Sequence, residues 1–283
     1  MQCVSAFASA ETIERNTADS LRHRYELLAD DLEHNAFQEP LYLDSTESSG
    51  KLTGNIYARI PYPFAVVSAA LDDPSNWCDV LILHVNTQYC RASSNDAGAV
   101  VTLNIGAKHE QPLEDTYLIE FSYRVAASAA DYFQVQLDAP TGPLGTRDYV
   151  ILMEAVSLGS DETFLHLTYS YAYGTAGRFA MNAYLATTGR SKVGFTIVGT
   201  QSDGQPVYIR RVRGLVERNT MRYYLAIDAY LSAVAAPPEK QLDQRLQNWY
   251  SATERYPRQL QEVDRDAYLA MKHSEYLRQQ TTP

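Results

Sequence analysis

The chain has 283 residues, which is enough to bury one large core or two smaller ones. Hydrophobic residues make up 45% and charged residues 20%, a balance typical of a globular protein and not of a disordered chain. The formal net charge of −10 argues against a nucleic-acid partner and against adsorption to an anionic membrane surface, because both need basic patches. With no run of about 18 apolar residues, the sequence predicts no membrane span.

The 21 tyrosines are unusual for a chain of this length. Tyrosine combines apolar area with one hydroxyl group, so it suits both the packing of sheets and the walls of semi-polar cavities. Both interpretations remain open at this point.

Residues 1–10 resemble the end of a secretory signal peptide. Ala6-Phe7-Ala8-Ser9-Ala10 matches the small-residue cleavage region, while Met1 to Val4 cannot supply a charged start and an apolar stretch. We therefore expect a signal-peptide remnant here, a true N-terminus that differs from Met1, and a periplasmic or secreted protein.

Cysteine and histidine usage bounds the chemistry of the chain. Cys3 lies in the expected signal-peptide remnant, which leaves Cys78 and Cys90 as an even pair compatible with one disulfide in an oxidising compartment. Two separate buried thiols are the alternative. The six histidines are scattered without ligand spacing, so neither a metal site nor a cofactor is expected.

In chain order, residues 11–36 predict a helix that ends before Pro40. Residues 51–60 alternate as a strand, and residues 64–71 predict a short helix that Pro63 precedes. Another helical turn is predicted over 75–78.

A run of strands separated by turn signals follows. Period-two alternation and short connections favour an antiparallel meander in which one face of the sheet is buried. The predicted strands are residues 80–86, 99–105, 116–125, 132–138, 147–156 and 164–173.

The last third of the sequence is predicted to be mainly helical. Residues 175–189 predict a helix, 193–212 a hairpin and 215–235 a long helix. The linker Ala235-Ala236-Pro237-Pro238 precedes two amphipathic helices in residues 238–283.

One stretch of the sequence resembles the first strand and the proline-led helix of the START-like (SRPBCC, helix-grip) superfamily. It consists of Gly54-Asn55-Ile56-Tyr57-Ala58-Arg59-Ile60 followed by Pro61-Tyr62-Pro63-Phe64. Leu71-Asp72-Asp73 and Trp77 stand where that helix ends. Blocks such as Trp77-Cys78-Asp79, Lys192-Val193-Gly194-Phe195-Thr196 and Glu217 to Tyr224 also resemble proteobacterial proteins of unknown function. The resemblance covers about residues 50–235.

The resemblance implies an α+β fold in which a curved antiparallel sheet wraps around a long late helix, with extra N- and C-terminal helices. Members bind lipids, sterols, isoprenoids or polyketides in a cavity between sheet and helix, and some are enzymes. Residues 41–235 would then form the ligand-binding domain and residues 238–283 a C-terminal helical extension. The helix at 175–189 and the hairpin at 193–212 depart from the family's order.

Aromatic side chains on the alternating strands are candidates for the cavity wall. These residues are Phe121, Tyr123, Tyr169 and Tyr171. Plain core packing is the alternative reading of each.

Arg218 and Arg222 are four residues apart, so on a helix they share a face and could hold a carboxylate or phosphate head group. The alternative is a solvated face, or ion pairs with sheet carboxylates such as Glu120 or Glu154.

His166 and Arg124 lie on the polar faces of their strands. If that face lined the cavity, His166 could act as a general base; a histidine on a solvated face is the alternative. No GxSxG, GxGxxG or P-loop motif occurs, so no catalytic residue is assigned.

The leading expectation is non-catalytic binding or transfer of a hydrophobic or amphiphilic, lipid-like small molecule. A cofactor-independent enzyme acting on a hydrophobic substrate is the second hypothesis. The third is an interaction module that binds a protein partner through the terminal helices.

Overall fold

The computed structural model describes residues 17–96, 98–186 and 190–281. The predicted signal remnant, Cys3 and the first residues of the predicted N-terminal helix lie outside the described residues. In the described part the chain is an α+β protein, as the sequence predicts, with one large antiparallel sheet and helices on both of its faces.

The large sheet has eight strands. Their order is β1-β2-β8-β7-β6-β5-β4-β3, and all pairs are antiparallel. From β3 to β8 each strand therefore pairs with its neighbour in sequence, and β4 to β8 are strands of the predicted meander. The strands are β1 (Leu41–Ser48), β2 (Lys51–Ile60), β3 (Thr87–Asn95), β4 (Gly98–Ile105), β5 (Tyr117–Ser128), β6 (Tyr132–Thr141), β7 (Thr146–Ser157) and β8 (Thr163–Tyr173), and a separate hairpin contains β9 (Ile197–Thr200) and β10 (Pro206–Tyr208).

The longest helix, α6, has 23 residues. The helices are α1 (17–27), α2 (Ala29–Glu33), α3 (Phe64–Leu71), α4 (Pro74–Leu81), α5 (Thr175–Ala186), α6 (Arg211–Ala233), α7 (Pro238–Glu254) and α8 (Arg265–Thr281).

The sheet wraps around the helices on its inner face. At one edge α6 packs on β1, β2 and β8, and at the other edge α4 packs on β3 and β4 while also contacting α6. Irregular registers at Val125/Ala127 and Arg147/Val150 interrupt β5 and β7, and such bulges bend a strand. The predicted curved sheet around a long late helix is therefore confirmed.

The close approach of α6 to β2 depends on Gly54. A Cβ atom at Gly54 would lie 2.3 Å from Oγ1 of Thr220, a residue of α6 that is fully buried. The missing side chain lets Thr220 of α6 pack directly on the backbone of β2, so the helix lies close to the strand at this position.

The outer face of the sheet carries a second, smaller core under the N-terminal helices. Leu21 of α1 and Leu32 of α2 pack against three residues of the sheet, namely Tyr57, Tyr132 and Phe164. The predicted helix over 11–36 is interrupted at Leu28, which forms a turn between α1 and α2.

Helices α7 and α8 belong to the main core. Leu246 and Trp249 of α7 and Tyr268 of α8 are buried there. Lys272 of α8 is also fully buried, and its Nζ donates to the carbonyl oxygens of His84 and Thr87 at 2.8 and 2.7 Å. Residues 238–281 thus bury their apolar faces against the residues of the predicted ligand-binding domain.

The local structure differs from the prediction in three places. Residues 80–86, predicted as a strand, form the end of α4 and the turns after it, because a short buried apolar run fits a helix as well as a strand. Strand β1 was not predicted, although its residues alternate between buried and half-buried from Leu41 to Ser45. Strand β3 was not predicted either, since the sequence analysis placed the strand before β4 at residues 80–86.

Cys78 of α4 and Cys90 of β3 form a disulfide, with their Cα atoms 5.2 Å apart. Both residues are buried, so the bridge ties the short helix to the edge of the sheet from inside the core.

The substitution Gly54→Ala should lower the free energy of unfolding by about 1–3 kcal/mol, because the added methyl group overlaps Thr220 and must push α6 away from β2. Gly199→Ala is the matched control, since a Cβ at Gly199 of β9 meets nothing within 4 Å. Urea denaturation of both variants measures the difference. Equal stabilities would contradict the close approach.

Candidate functional site

A cavity of about 160 Å³ lies between α6 and the far half of the sheet. Its apolar wall comes from inward-facing residues of β4 and β5. The residues of this wall are Leu103, Ile105, Ile119 and Phe121, to which Pro143 of the β6–β7 turn adds one side.

Three tyrosines close the cavity from β7, β8 and α6. The rings of Tyr149 and Tyr169 have centroids 6.2 Å apart, and Tyr223 lies 5.1 Å from Tyr169. Burial raises the pKa of all three phenols, that of Tyr149 to about 12. The hydroxyl groups therefore stay protonated at neutral pH and act as hydrogen-bonding groups, not as charges.

His84, in the turns after α4, is the most distinctive polar group of the cavity wall. The residue is 5% exposed. Burial lowers its pKa well below the ordinary value, and the cations Arg222 and Lys272 lower it further, so the imidazole is neutral. Its Nδ1 accepts a hydrogen bond from the backbone N–H of Asn86 at 3.2 Å, which places the ring proton on Nε2.

The Nε2–H group of His84 has no hydrogen-bond partner among the described residues. A buried donor without an acceptor costs about 1–3 kcal/mol. Because His84 lines the cavity, an acceptor atom on a bound molecule can offset this cost.

A wider outer pocket of about 780 Å³ adjoins the cavity. Asn86, Ile105 and Pro143 line both spaces, so the two are neighbours that share part of one wall. The rest of the outer pocket comes mainly from the β4–β5 connection, which includes Lys108, and from Glu262 of the α7–α8 connection.

A buried polar chain links the two spaces. Asn219 lines the cavity, and its Oδ1 accepts from Arg222 Nη1 at 3.1 Å. Arg222 Nη2 donates to Glu262 Oε1 at 2.8 Å, and Lys108 pairs with the other carboxylate oxygen. Burial opposes ionisation of Glu262, but Arg222 and Lys108 outweigh it and hold its pKa at about 2.

Two of the four predicted aromatic wall residues line the cavity, namely Phe121 and Tyr169. Tyr171 lies behind the wall, where its ring stacks on Tyr149 at 5.1 Å. Tyr123 packs under the short helices, and its hydroxyl donates to the Leu71 carbonyl oxygen at 3.1 Å.

Strand alternation places His166 and Arg124 on the outer face of the sheet, away from the cavity. His166 Nδ1 lies 2.9 Å from Glu154 Oε2, and its ring stacks on Tyr57 at 4.1 Å. Arg124 is exposed and donates to Gln136 Oε1 at 2.7 Å. These two residues do not converge with the cavity groups, because successive side chains of a strand point to opposite faces.

Arg218 and Arg222 are both buried in α6, so neither lies on the solvated face that was the alternative. Arg218 donates to the carbonyl oxygen of Val193 at 3.3 Å. The carboxylate that pairs with Arg222 is Glu262, not the suggested Glu120 or Glu154 of the sheet.

Sequence reasoning missed His84, Lys108, Asn219 and Glu262. His84 was hidden in the residues that were mistaken for a strand, and Asn219 stands inside the block from which the arginines were selected. No local pattern marks Lys108 or Glu262, because they meet through tertiary contacts between distant connections.

Across the ranges given above, no group of three or more His, Cys, Asp or Glu residues could hold a metal ion. The helices of the same ranges include none that is long and apolar enough to cross a membrane.

No family model matches the chain, and no curated protein matches it significantly. Several solved structures are similar to this chain. One is a norcoclaurine synthase point mutant from Thalictrum flavum, which is 16% identical with a TM-score of 0.35. The match covers 51% of this chain and 89% of that one. The ZhuI aromatase/cyclase from Streptomyces sp. R1128 has 12% identity, a TM-score of 0.33 and coverage of 76% and 94%. Ara h 8.0201 has 11% identity, a TM-score of 0.37 and coverage of 65% and 99%.

The ion pairs of Glu262 should make stability depend on pH in the acid range. Its folded-state pKa of about 2 lies below the ordinary 4.5, so the pairing stabilises the folded protein above pH 4.5 and is lost as the pH falls toward 2. The shift corresponds to about 3 kcal/mol. Urea denaturation between pH 2 and pH 6 should show a shallower pH dependence for Glu262→Gln than for the wild type, while the exposed control Glu239→Gln should follow the wild type. Parallel curves for all three proteins would contradict this account.

Proposed function

We propose that the chain binds a small hydrophobic or amphiphilic molecule between the sheet and α6, without chemical turnover. The supporting observation is the cavity of about 160 Å³ with an apolar wall and an unpaired donor on His84. Ligand sites in proteins commonly combine apolar walls with a few polar groups that fix orientation.

The cavity volume bounds the bound part of the ligand. An apolar cavity of about 150 Å³ is enough for a benzene molecule. The inner cavity therefore fits one six-membered ring or a short branched chain, and the remainder of a longer, lipid-like molecule would extend into the outer pocket of about 780 Å³.

The titratable groups of the cavity favour binding over catalysis. General acid–base catalysis works best with a pKa near the operating pH. The pKa of His84 is far below neutrality, and those of Tyr149, Tyr169 and Tyr223 are raised by burial. A neutral imidazole that donates from Nε2 suits the recognition of a carbonyl, ether or hydroxyl oxygen.

The packing of the terminal helices favours ligand binding over the docking of a protein partner. Trp249 of α7 and Tyr268 of α8 are buried in the chain's own core, and Leu21 of α1 is buried against the outer face of the sheet. These apolar faces are already occupied.

The cavity proposal is tested with 4-phenylbutan-1-ol, whose ring matches the inner cavity. Isothermal titration calorimetry should show one site per chain, and Leu103→Trp should weaken binding at least tenfold because the indole fills the cavity. Leu118→Trp, an exposed position on β5, is the control. Near-UV circular dichroism shows whether each variant keeps its packed core. Unchanged binding in a folded Leu103→Trp variant would refute the cavity as the site.

We also propose a periplasmic or secreted location. The Cys78–Cys90 disulfide supports it, because disulfides persist in oxidising compartments. Mass spectrometry of the native protein from separated cell fractions should find an exported form that lacks the first residues and in which neither cysteine reacts with iodoacetamide before reduction. An intact Met1 on cytosolic protein in which both Cys78 and Cys90 react would refute this location.

A further inference from the structure

Two cationic side chains, Lys108 and Arg222, hold a single carboxylate of the outer-pocket wall, and two further cations act on the same group of charges. Lys108 and Arg222 contact Glu262 directly. Lys192 and Arg218 are close enough to act on the same charges: burial lowers the pKa of Lys192, and Arg222, Arg218 and Lys108 lower it further against the opposing effect of Glu262.

This cluster is largely removed from water. The side chains of Arg222 and Glu262 are 3% and 5% exposed, and Lys108 is 22% exposed. Buried charges are costly unless they are paired and hydrogen-bonded. The Nε atom of Arg222 has no hydrogen-bond partner among residues 17–96, 98–186 and 190–281, so Glu262 does not use the full donor capacity of the guanidinium group.

The cluster lies where it could bind one end of a molecule that occupies the cavity. Asn219, which accepts from Arg222, is part of the cavity wall, while Lys108 and Glu262 line the outer pocket. A ligand whose apolar end fills the inner cavity would direct its other end toward Lys108 and Glu262, and Arg222 lies directly behind Glu262.

The present partner of the two cations indicates the chemistry that they recognise. Glu262 places Oε1 on Arg222 and Oε2 on Lys108, so the two cations already hold the two oxygens of one carboxylate. Glu262 lies in the connection between α7 and α8, outside any helix or strand. Its displacement by the carboxylate of a ligand would therefore break no backbone hydrogen bond of a helix or a sheet.

We propose that the outer pocket recognises the carboxylate of an amphiphilic ligand whose apolar end occupies the inner cavity, and that Glu262 holds Lys108 and Arg222 in place of that carboxylate until the ligand binds. This inference rests on the proposed binding function and adds to it the class of ligand. Glu262 then keeps two buried cations paired in the empty protein, and it competes with every incoming carboxylate.

Calorimetric titration with 4-phenylbutyrate and 4-phenylbutan-1-ol separates the inference from the proposed function, because the two probes share the ring and chain and differ in charge. The wild type should bind the carboxylate at least tenfold more tightly than the alcohol. Lys108→Gln should reduce this ratio to about one by weakening the carboxylate alone. Glu262→Gln should tighten the carboxylate about tenfold and leave the alcohol unchanged.

Matched controls carry the same charge changes on exposed residues of α7. Lys240→Gln and Glu239→Gln should each change the affinity for 4-phenylbutyrate less than twofold. They exclude an effect of net charge alone on the binding of an anion.

Equal affinity of the wild type for the two probes would overturn the carboxylate inference and leave the cavity proposal standing. Failure of both probes to bind would overturn both. Weaker binding of 4-phenylbutyrate by a folded Glu262→Gln variant would overturn the competitive role of Glu262. Near-UV circular dichroism shows whether Glu262→Gln keeps its packed core. If the core is lost, the test is the ratio of the affinities of Lys108→Gln for 4-phenylbutyrate and 4-phenylbutan-1-ol, and a ratio equal to that of the wild type refutes the inference.

Discussion

The close contact of α6 with β2 is the constraint on which the site depends. Gly54 lets Thr220 approach the strand backbone, and this contact seats the helix on the half of the sheet that contains β1, β2 and β8. The other half of the sheet, at β4 and β5, is left to face Asn219 and Tyr223 across a gap. A helix seated tightly at one side of a curved sheet leaves space at the other.

Buried polar groups hold that arrangement in position. Glu217 of α6 is fully buried and accepts from the backbone N–H groups of Phe195 and Thr196 at 2.6 and 3.0 Å, so it ties the segment before β9 to the helix. Ser45 of β1 donates to the same carboxylate at 2.6 Å. Lys272 does the equivalent for α8, since its ammonium group binds backbone carbonyl oxygens next to the cavity. Breaking such a buried pair or network costs much more than its formation gains, which favours this one packing of the helices over alternatives.

The C-terminal helices complete the site and are not an appendage to it. Glu262 follows α7 and precedes α8, and it reaches Arg222 of α6 and Lys108 of the β4–β5 connection. Three separate parts of the chain thus meet at one carboxylate. Residues 238–281 supply the carboxylate that pairs with Lys108 in the outer pocket, although the amphipathic pattern of these residues does not indicate a role in a site.

The sequence alone determined the elements whose signals are local. The alternation over 51–60 and the proline-led apolar run over 64–71 gave β2 and α3 with the bounds that the structure has, and the meander followed from period-two patterns with short connections. Among the predicted wall residues, Phe121 and Tyr169 line the cavity because alternation fixes the face of a strand. Alternation does not determine which face of the sheet encloses the cavity. The sequence therefore allowed His166 to be a general base in the cavity, whereas the structure places it on the outer face. Only the tertiary structure brought His84, Lys108 and Glu262 together, because their meeting depends on long-range contacts that leave no periodic trace in the chain.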